Sequence, residues 1–377
     1  MKHLAYKLFA CSFNLCALLP ARKRVALLSP HMASFTDSLG EMEREMRARG
    51  FKTVRVSGAD IRPKQKNAAA ALRMLRFFTK GAYDLATASM VFLNDNFMPL
   101  ADLHVKKRAV WTQLWHAEGA FKRFGLDIAD LPQDVRERVQ RGNAKLRYVI
   151  CSSESVVPIY ASAFGVPQEK VLPLGSPRAD RYIEKSRRTD TRALREKLFD
   201  GTKKTVVLYA PTFRDDPAEN RALLTHFDFA KFERELGEKY LLVLRLHPQF
   251  RDVPVPDGVT DLTDYPDAGD LIAACDLLIT DYSSLCLDFA LVGKPSVFYA
   301  FDLGSYAAGR SFYRDYSSNV PGAVAQTFDE LLAAVRNADA DADALQRFTV
   351  YHFGSPDGKA ASRIADAVIR AANLQSL

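Results

Sequence analysis

Three observations predict an α/β protein built from two parallel, helix-covered sheets. Short apolar runs alternate with amphipathic helical stretches from Val25 to Leu174. A charged connection at about 183–204, rich in Lys, Arg, Thr and Asp, then gives way to a second alternation from Thr205. In both halves small polar clusters stand directly after the apolar runs. Such runs read as buried parallel strands, because strand–helix–strand crossovers cover both faces of a sheet. The expected division is a helix at 1–22, a Rossmann-like domain at 23–190, a second at 200–355 and a terminal helix at 356–377. Ligands of such sheets sit at the carboxyl ends of the strands, so the two domains are expected to face each other across a cleft.

The first element is the N-terminal helix. Leu4, Leu8, Cys11, Leu15 and Leu18 recur at helical spacing, with Phe9 and Phe13 beside them. Lys2 and Lys7 precede most of the stripe, and Arg22-Lys23-Arg24 follow it. The basic cluster stands after the apolar part and no small-x-small site is evident, which sets a signal peptide aside. The preferred reading is an amphipathic helix on an anionic membrane surface; the alternative is a helix packed on the protein's own core. No stretch is long enough to span a bilayer.

Strands are expected in the first half at Val25–Leu28, Thr53–Val56, Met90–Leu93, Ala109–Leu114, Arg147–Ile150 and Val171–Leu174. Helices are expected at Asp37–Arg49, ended by Gly50, at Asn67–Lys80, and at Val156–Phe164, ended by Gly165. The second half has strands at Thr205–Tyr209, Tyr240–Leu246, Gly258–Leu262, Leu277–Ile279 and Ser296–Ala300. Its helices are expected at Phe229–Lys239, Ala268–Cys275 and Phe328–Arg336, and Lys359–Asn373 closes the chain.

Hydrophobic residues at 48% and charged residues at 26% place the chain among globular proteins. A net charge of +7 favours acidic partners, such as anionic lipid or a phosphate-rich substrate. Without a nucleic-acid motif or a long basic block, nucleic acid is not an expected partner. The five cysteines are odd in number and lack metal-ligand spacing, so reduced thiols are expected.

Five clusters follow strands. The first, Trp115-His116-Ala117-Glu118-Gly119-Ala120, leads to the basic pair Lys122-Arg123 and offers a base beside an anion. The second, Gly175-Ser176-Pro177-Arg178-Ala179-Asp180, offers Arg178 as a phosphate clamp, or else an Arg–Asp pair bracing a turn. The third, Ala210-Pro211-Thr212-Phe213-Arg214-Asp215-Asp216, supplies hydroxyl and guanidinium donors. In the fourth, Leu244-Arg245-Leu246-His247-Pro248, alternation puts Arg245 and His247 on one side of the strand. A charged group there is costly unless it is paired or bound to an anion. The fifth, Thr280-Asp281-Tyr282-Ser283-Ser284, opens a helix whose free N–H groups suit a phosphate, with Asp288 one turn further in.

The ordered set resembles the CDP-glycerol glycerophosphotransferases, the teichoic-acid primases and polymerases of bacterial envelopes. The matching phrases are Gln113-Leu114-Trp115-His116, Pro177-Arg178-x-Asp180, Tyr209-Ala210-Pro211-Thr212-Phe213-Arg214, Arg245-Leu246-His247-Pro248 and Thr280-Asp281-Tyr282-Ser283-Ser284. Lys294-Pro295, Phe298 to Leu303 and Arg310-x-Phe312-Tyr313-x-Asp315-Tyr316 extend the likeness to about residue 322. The resemblance implies a GT-B type arrangement of the two domains. It also implies transfer of a polyol phosphate, glycerol phosphate first, from a CDP-polyol to a hydroxyl of a lipid-linked anionic glycan or polyol-phosphate acceptor, releasing CMP. Teichoic-acid-like or capsular polymer synthesis on the inner face of the cell membrane is the implied setting.

By position His116 looks like the base, while His247 and Arg245 look like ligands of the diphosphate. Ser283 and Ser284 would hold phosphate and Asp288 the ribose. Arg178, Pro211 and Thr212 would complete the donor site, bordered by residues 116–120, with Lys122, Arg214 and Leu246 in the substrate-binding set. Phosphoryl transfer needs positioning and charge neutralisation, and an imidazole titrates near enough to neutrality to deprotonate an alcohol. A cationic site holds the leaving group unaided, so neither metal nor cofactor is expected.

Two departures stand out. Ala117-Glu118-Gly119-Ala120 replaces the family's usual glycine and nearby proline, and Phe35-Thr36-Asp37 replaces its early Asn near a Phe. Both bear on the choice of substrate more than on the reaction. One rival reading is a GT-B glycosyltransferase using a nucleotide sugar. The other is a non-catalytic protein that binds anionic polymer or membrane, which would leave both histidines and the serine pair idle.

Overall fold

The computed structural model describes residues 2–31, 34–58, 67–214, 216–247, 254–256, 258–309, 312–338 and 341–373. The chain forms two compact units, Met1–Arg181 with His352–Leu377, and Tyr182–Tyr351. Each holds a six-stranded sheet whose pairings are parallel.

The first sheet contains β1 (Arg22–Ser29), β2 (Lys52–Ser57), β3 (Ala88–Leu93), β4 (Val110–Gln113), β5 (Tyr148–Ile150) and β6 (Val171–Leu172). Their order is β2-β1-β3-β4-β5-β6. Register pairs Val25 with Thr53 on one side of β1 and with Met90 on the other. Val25 to Leu28 and Met90 to Phe92 are fully buried, as continuous apolar runs require when helices cover both faces. Helix α1 spans Lys2–Cys16, α2 Ser38–Ala48 and α3 Ala68–Arg76. Asp37 caps α2 by accepting from Leu39 N, and Gly50 closes the turn after it at φ 81°. Asn67 caps α3, after which the chain runs on through a π-helical turn, Phe77–Gly81, into a further helix, Ala82–Thr87. The helical path is therefore longer than the expected Asn67–Lys80.

Helix α1 has two apolar faces. Phe9 and Phe13 are buried, Phe9 against Phe77 and Phe97 at ring distances of 4.8 and 5.4 Å. Leu4, Leu8 and Leu15 are exposed, at 63, 54 and 70%.

The second sheet contains β7 (Thr205–Tyr209), β8 (Tyr240–Leu244), β9 (Thr260–Asp261), β10 (Leu277–Thr280), β11 (Ser296–Tyr299) and β12 (Val324–Ala325). Their order is β12-β11-β10-β7-β8-β9. The core beneath them gathers Val207, Tyr209, Phe227, Phe232, Leu244, Ile279 and Leu331.

The connection expected at 183–204 is not a linker. It forms the helices Pro177–Arg188 and Thr191–Phe199, and the division between units falls inside the first of these. Its charges mark the solvent faces of two helices whose Tyr182, Ile183 and Phe199 are buried, and Arg195 pairs with Asp276 at 2.9 Å. The terminal segment is not separate either. In the closing helix, Ala360–Ala371, Ile364, Ala365 and Val368 pack against Leu27, Met42, Met46 and Met90 of the first unit.

Candidate active site

Strand order reverses once in each sheet, between β1 and β3 in the first and between β7 and β10 in the second. Crevices open at the carboxyl ends of such strand pairs. In the first unit that end carries His31 after β1, Asn94 and Asp95 after β3, and Trp115 and His116 after β4. Trp115 takes a left-handed backbone, φ 61°, while its ring is buried and stacks on Phe124 at 5.2 Å. This bend turns the His116 imidazole outward, 45% exposed, with Nδ1 3.2 Å from the Asn94 carbonyl oxygen and 3.5 Å from Asp95 Oδ2.

The loop after His116 is braced from within its unit. Tyr160 OH donates to the Ala117 carbonyl at 2.9 Å. Gly119 N donates to Ser152 Oγ at 3.0 Å, Ser152 Oγ donates to the His352 carbonyl at 2.5 Å, and Ala120 N donates to His352 Nδ1 at 3.3 Å. Gly119 stands at φ 64°, and a Cβ there would lie 2.4 Å from His352 Nδ1, so the residue must be glycine. Glu118, Gly119 and Ala120 are all buried. Glu118 accepts from Ser176 Oγ at 2.8 Å and forms an ion pair with Arg178.

Arg178, expected to clamp a phosphate, is thus engaged by a carboxylate, and its partner is Glu118 rather than Asp180. Asp180 instead accepts from Ala361 N at 2.8 Å, and burial pushes its carboxyl above the usual range. Lys122 is half-buried.

In the second unit Pro211 and Thr212 follow β7, and the Asp281 carboxylate after β10 accepts from Thr212 N at 2.8 Å and Tyr282 N at 2.6 Å. Arg214 is 4% exposed and donates to Asp281 and Asp302 at 2.9 Å each and to the Thr212 carbonyl at 2.7 Å. Its guanidinium also lies 5.1 and 4.6 Å from the Tyr282 and Tyr306 rings. Burial disfavours its charge, yet the two carboxylates outweigh that and hold its pKa above the ordinary value. Arg214, expected to touch substrate, is therefore a brace that ties the Thr212 turn to the Asp281 turn.

Arg245 behaves differently. Its backbone N–H donates to Tyr209, but side-chain Nη1 is buried without a hydrogen-bond partner, and burial lowers its pKa. Thr212 Oγ1 is likewise buried and unpartnered. His247, two residues on, is exposed at its edge, lies 5.6 Å ring to ring from Phe213, and has its pKa lowered by desolvation. Leu246, expected to line the substrate, is 3% exposed and belongs to the core, with its N–H on Thr263 Oγ1.

Ser283 Oγ accepts from Leu285 N at 3.3 Å, while Ser284 is exposed and makes no side-chain cap. Asp288, expected at the ribose, is 2% exposed, in a helix whose residues from Cys286 to Ala290 are all buried. Asp215, Pro248 and Arg310 lie outside the described residues.

Among the described residues, no group of three or more His, Cys, Asp or Glu is placed to hold a metal. None of the five cysteines, all among the described residues, is in a disulfide, and burial pushes the Cys151 and Cys275 thiols up to about 12. No helix among the described residues is long and apolar enough to cross a membrane.

The expected site set left out Asn94, Asp95, His31, Ser152 and His352, although Asn94-Asp95 and Ser152-Ser153 both stand at strand ends. His352 gives no local signal.

Two doubly wound sheets with imidazole, guanidinium and hydroxyl groups at their strand ends define an α/β protein of the two-Rossmann-domain class. The chain belongs to the CDP-glycerol:poly(glycerophosphate) glycerophosphotransferase family, whose sequence pattern it matches over residues 12–370. It is 34% identical over 295 residues to the teichoic acid ribitol-phosphate primase of Bacillus spizizenii, covering 76% of each chain. To the teichoic acid poly(ribitol-phosphate) polymerase of that organism it is 32% identical over 302 residues, covering 76% of this chain and 48% of the polymerase. It is 31% identical over 277 residues to a teichoic acid glycerol-phosphate primase of Bacillus spizizenii, covering 72% of this chain and 71% of the primase. The chain thus spans about half the length of the polymerase and about three quarters of the ribitol-phosphate primase. The fold is also that of the wall teichoic acid polymerase TagF, with a TM-score of 0.77 at 22% identity, covering 98% of this chain and 93% of that one.

Proposed function

We propose that this protein transfers a polyol phosphate from a CDP-polyol to a hydroxyl of a lipid-linked acceptor, releasing CMP, in the synthesis of a teichoic-acid-like or capsular envelope polymer. The observation that carries this reading is the buried, unpartnered Arg245 Nη1 at the carboxyl end of β8. Leaving a buried donor unsatisfied costs about 1–3 kcal/mol, and more for a charged group, so a ligand anion is the natural partner. Thr212 Oγ1, at the end of the neighbouring strand β7, is a second such donor. His247 and Ser284, exposed near the ends of β8 and β10, add further donors for the diphosphate.

His116 supplies the base. The acceptor O–H gives its proton to the imidazole, and the oxygen attacks the phosphorus that bears the polyol. The bond from that phosphorus to the CMP phosphate oxygen breaks, and CMP leaves. Charge neutralisation by Arg245 and orientation of the hydroxyl account for the rate in such a transfer. The family's description names glycerol, whereas the primase at 34% identity is named for ribitol, so either polyol fits.

A lipid-linked acceptor calls for a protein that works at the inner face of the membrane. The exposed leucines of α1, and Leu72, Met74 and Leu75 of α3 with the basic Arg73 and Arg76 beside them, suit that surface.

The test is incubation with CDP-glycerol, CDP-ribitol and a nucleotide-sugar panel, with and without lipid-linked acceptor, reading CMP release and product mass. CMP release that depends on acceptor is expected, and His116→Ala should lower turnover by about 10²–10⁴-fold. Near-wild-type turnover in His116→Ala would remove the base assignment, and release of UDP or GDP from a nucleotide sugar would make the protein a glycosyltransferase.

A further inference from the structure

His116 does not stand alone at the carboxyl ends of the first sheet. Its Nδ1 lies 3.2 Å from the Asn94 carbonyl oxygen and 3.5 Å from Asp95 Oδ2. A carbonyl oxygen can only accept, so Nδ1 carries the hydrogen. In the neutral ring the lone pair is then on Nε2.

The Asp95 carboxylate is itself fixed. Its Oδ1 accepts from Asn96 N at 2.6 Å, which leaves Oδ2 toward the His116 ring, with His31 Nε2 on the same oxygen at 3.9 Å. The backbone on either side is tied together by Gln113, whose Nε2 donates to the Asp95 carbonyl at 3.1 Å and whose Oε1 accepts from Trp115 N at 2.9 Å. Gln113 is fully buried, so one rigid amide sets the spacing between the carboxylate and the bend that presents His116.

We propose that Asp95 is the positioning residue for His116. Together with the Asn94 carbonyl it holds the imidazole in the Nδ1–H form, aims Nε2 at the acceptor hydroxyl, and stabilises the imidazolium that forms. This rests on the reading of His116 as the base. One proton moves in the step: the acceptor O–H bond breaks, Nε2–H forms, and the oxygen electron pair goes to phosphorus. Asp95 remains a carboxylate throughout. A half-exposed imidazole without an orienting partner would sample several ring rotations, and misorientation alone removes much of a base's effect.

Two measurements test the proposal. The first is the ring-nitrogen NMR spectrum of His116 in the full chain at a pH where the ring is neutral, assigned by loss of its signals in His116→Ala. An Nδ1–H, Nε2-lone-pair pattern is expected, and an Nε2–H pattern overturns the proposal without any substitution at Asp95. The second is steady-state kinetics of Asp95→Asn and Asp95→Glu. For Asp95→Asn, kcat should fall at least about tenfold and no further than the base's own contribution of about 10²–10⁴-fold, with donor KM within about twofold. Asp95→Glu should recover part of the loss. An Asp95→Asn variant with wild-type kcat overturns the proposal. If His116→Ala keeps its turnover, the functional reading falls instead, and comparison of the wild-type and Asp95→Asn spectra still reports whether Asp95 holds the ring.

Discussion

Arg245, half-buried, and Arg214, buried, are both cations after strands, yet they have opposite consequences for stability. Arg214 is balanced by Asp281 and Asp302, so removing it would strand two carboxylates. Arg245 Nη1 has no hydrogen-bond partner, and the nearby Asp267, which attracts it, already pairs with Lys185 at 2.5 Å. Replacing Arg245 with methionine therefore removes an unsatisfied donor and leaves no carboxylate without a cation. The expected outcome for Arg245→Met is a melting temperature equal to or above wild type. Its KM for the CDP-polyol should rise by about 10- to 100-fold, the loss of about 1.5–3 kcal/mol of charge-assisted hydrogen bonding. A fall in melting temperature with unchanged KM would show that Arg245 serves the fold and not the donor. The sequence marks both arginines, Arg245 within an apolar run and Arg214 in the polar turn after one. It does not separate them, because the carboxylates that engage Arg214 lie 67 and 88 residues away.

At the scale of elements, periodicity in α1 was legible but its orientation was not. Both the leucine stripe and the Phe9–Phe13 edge are apolar, so hydrophobic spacing alone allows either to face inward. The phenylalanines win because their flat rings fill the space beside Phe77, Phe97 and Trp111, and Ser12 Oγ anchors the helix to the Phe78 carbonyl at 2.6 Å. The leucines are left on the surface, and α3 likewise exposes Leu72 and Leu75. Burying a leucine in the interfacial region is worth about 1.5–3 kcal/mol, and each basic residue near an anionic surface adds about 1 kcal/mol. Sedimentation with phosphatidylglycerol vesicles should therefore show binding that weakens with salt, and little binding to phosphatidylcholine vesicles. The pair Leu8→Asp with Leu75→Asp should lower the anionic-vesicle partition by at least about tenfold with no loss of melting temperature, since both side chains are exposed. Equal binding of wild type and variant would remove the membrane role of this face.

For the whole molecule, the strand–helix alternation was readable because each strand is a local apolar run, whereas register was not, since a strand apolar on both faces does not distinguish one pairing from the next. The return of the chain to its first unit was not readable. Ile364, Ala365, Val368 and Ile369 form a clear helical stripe, but a stripe does not name the sheet it covers, and its partners Leu27 and Met90 lie hundreds of residues earlier. The first unit is consequently closed by the last helix of the chain, and the segment that leads into it carries His352, which holds the loop after His116. Ile364 is fully buried in that core. Ile364→Ala should destabilise the first unit by about 2–5 kcal/mol, because the cavity cannot collapse against a sheet fixed by its ladder. Peptide-resolved hydrogen exchange distinguishes the units. Protection should fall in β1, β3 and β4 and in the loop 116–120, while β7, β8 and β10 keep wild-type protection. Turnover should decline with the first unit's protection, whereas donor KM, which the proposed function assigns to Arg245 and Thr212 in the second unit, should stay near wild type. Equal loss of protection in both sheets would mean that the closing helix supports the chain as one cooperative body and not the first unit alone.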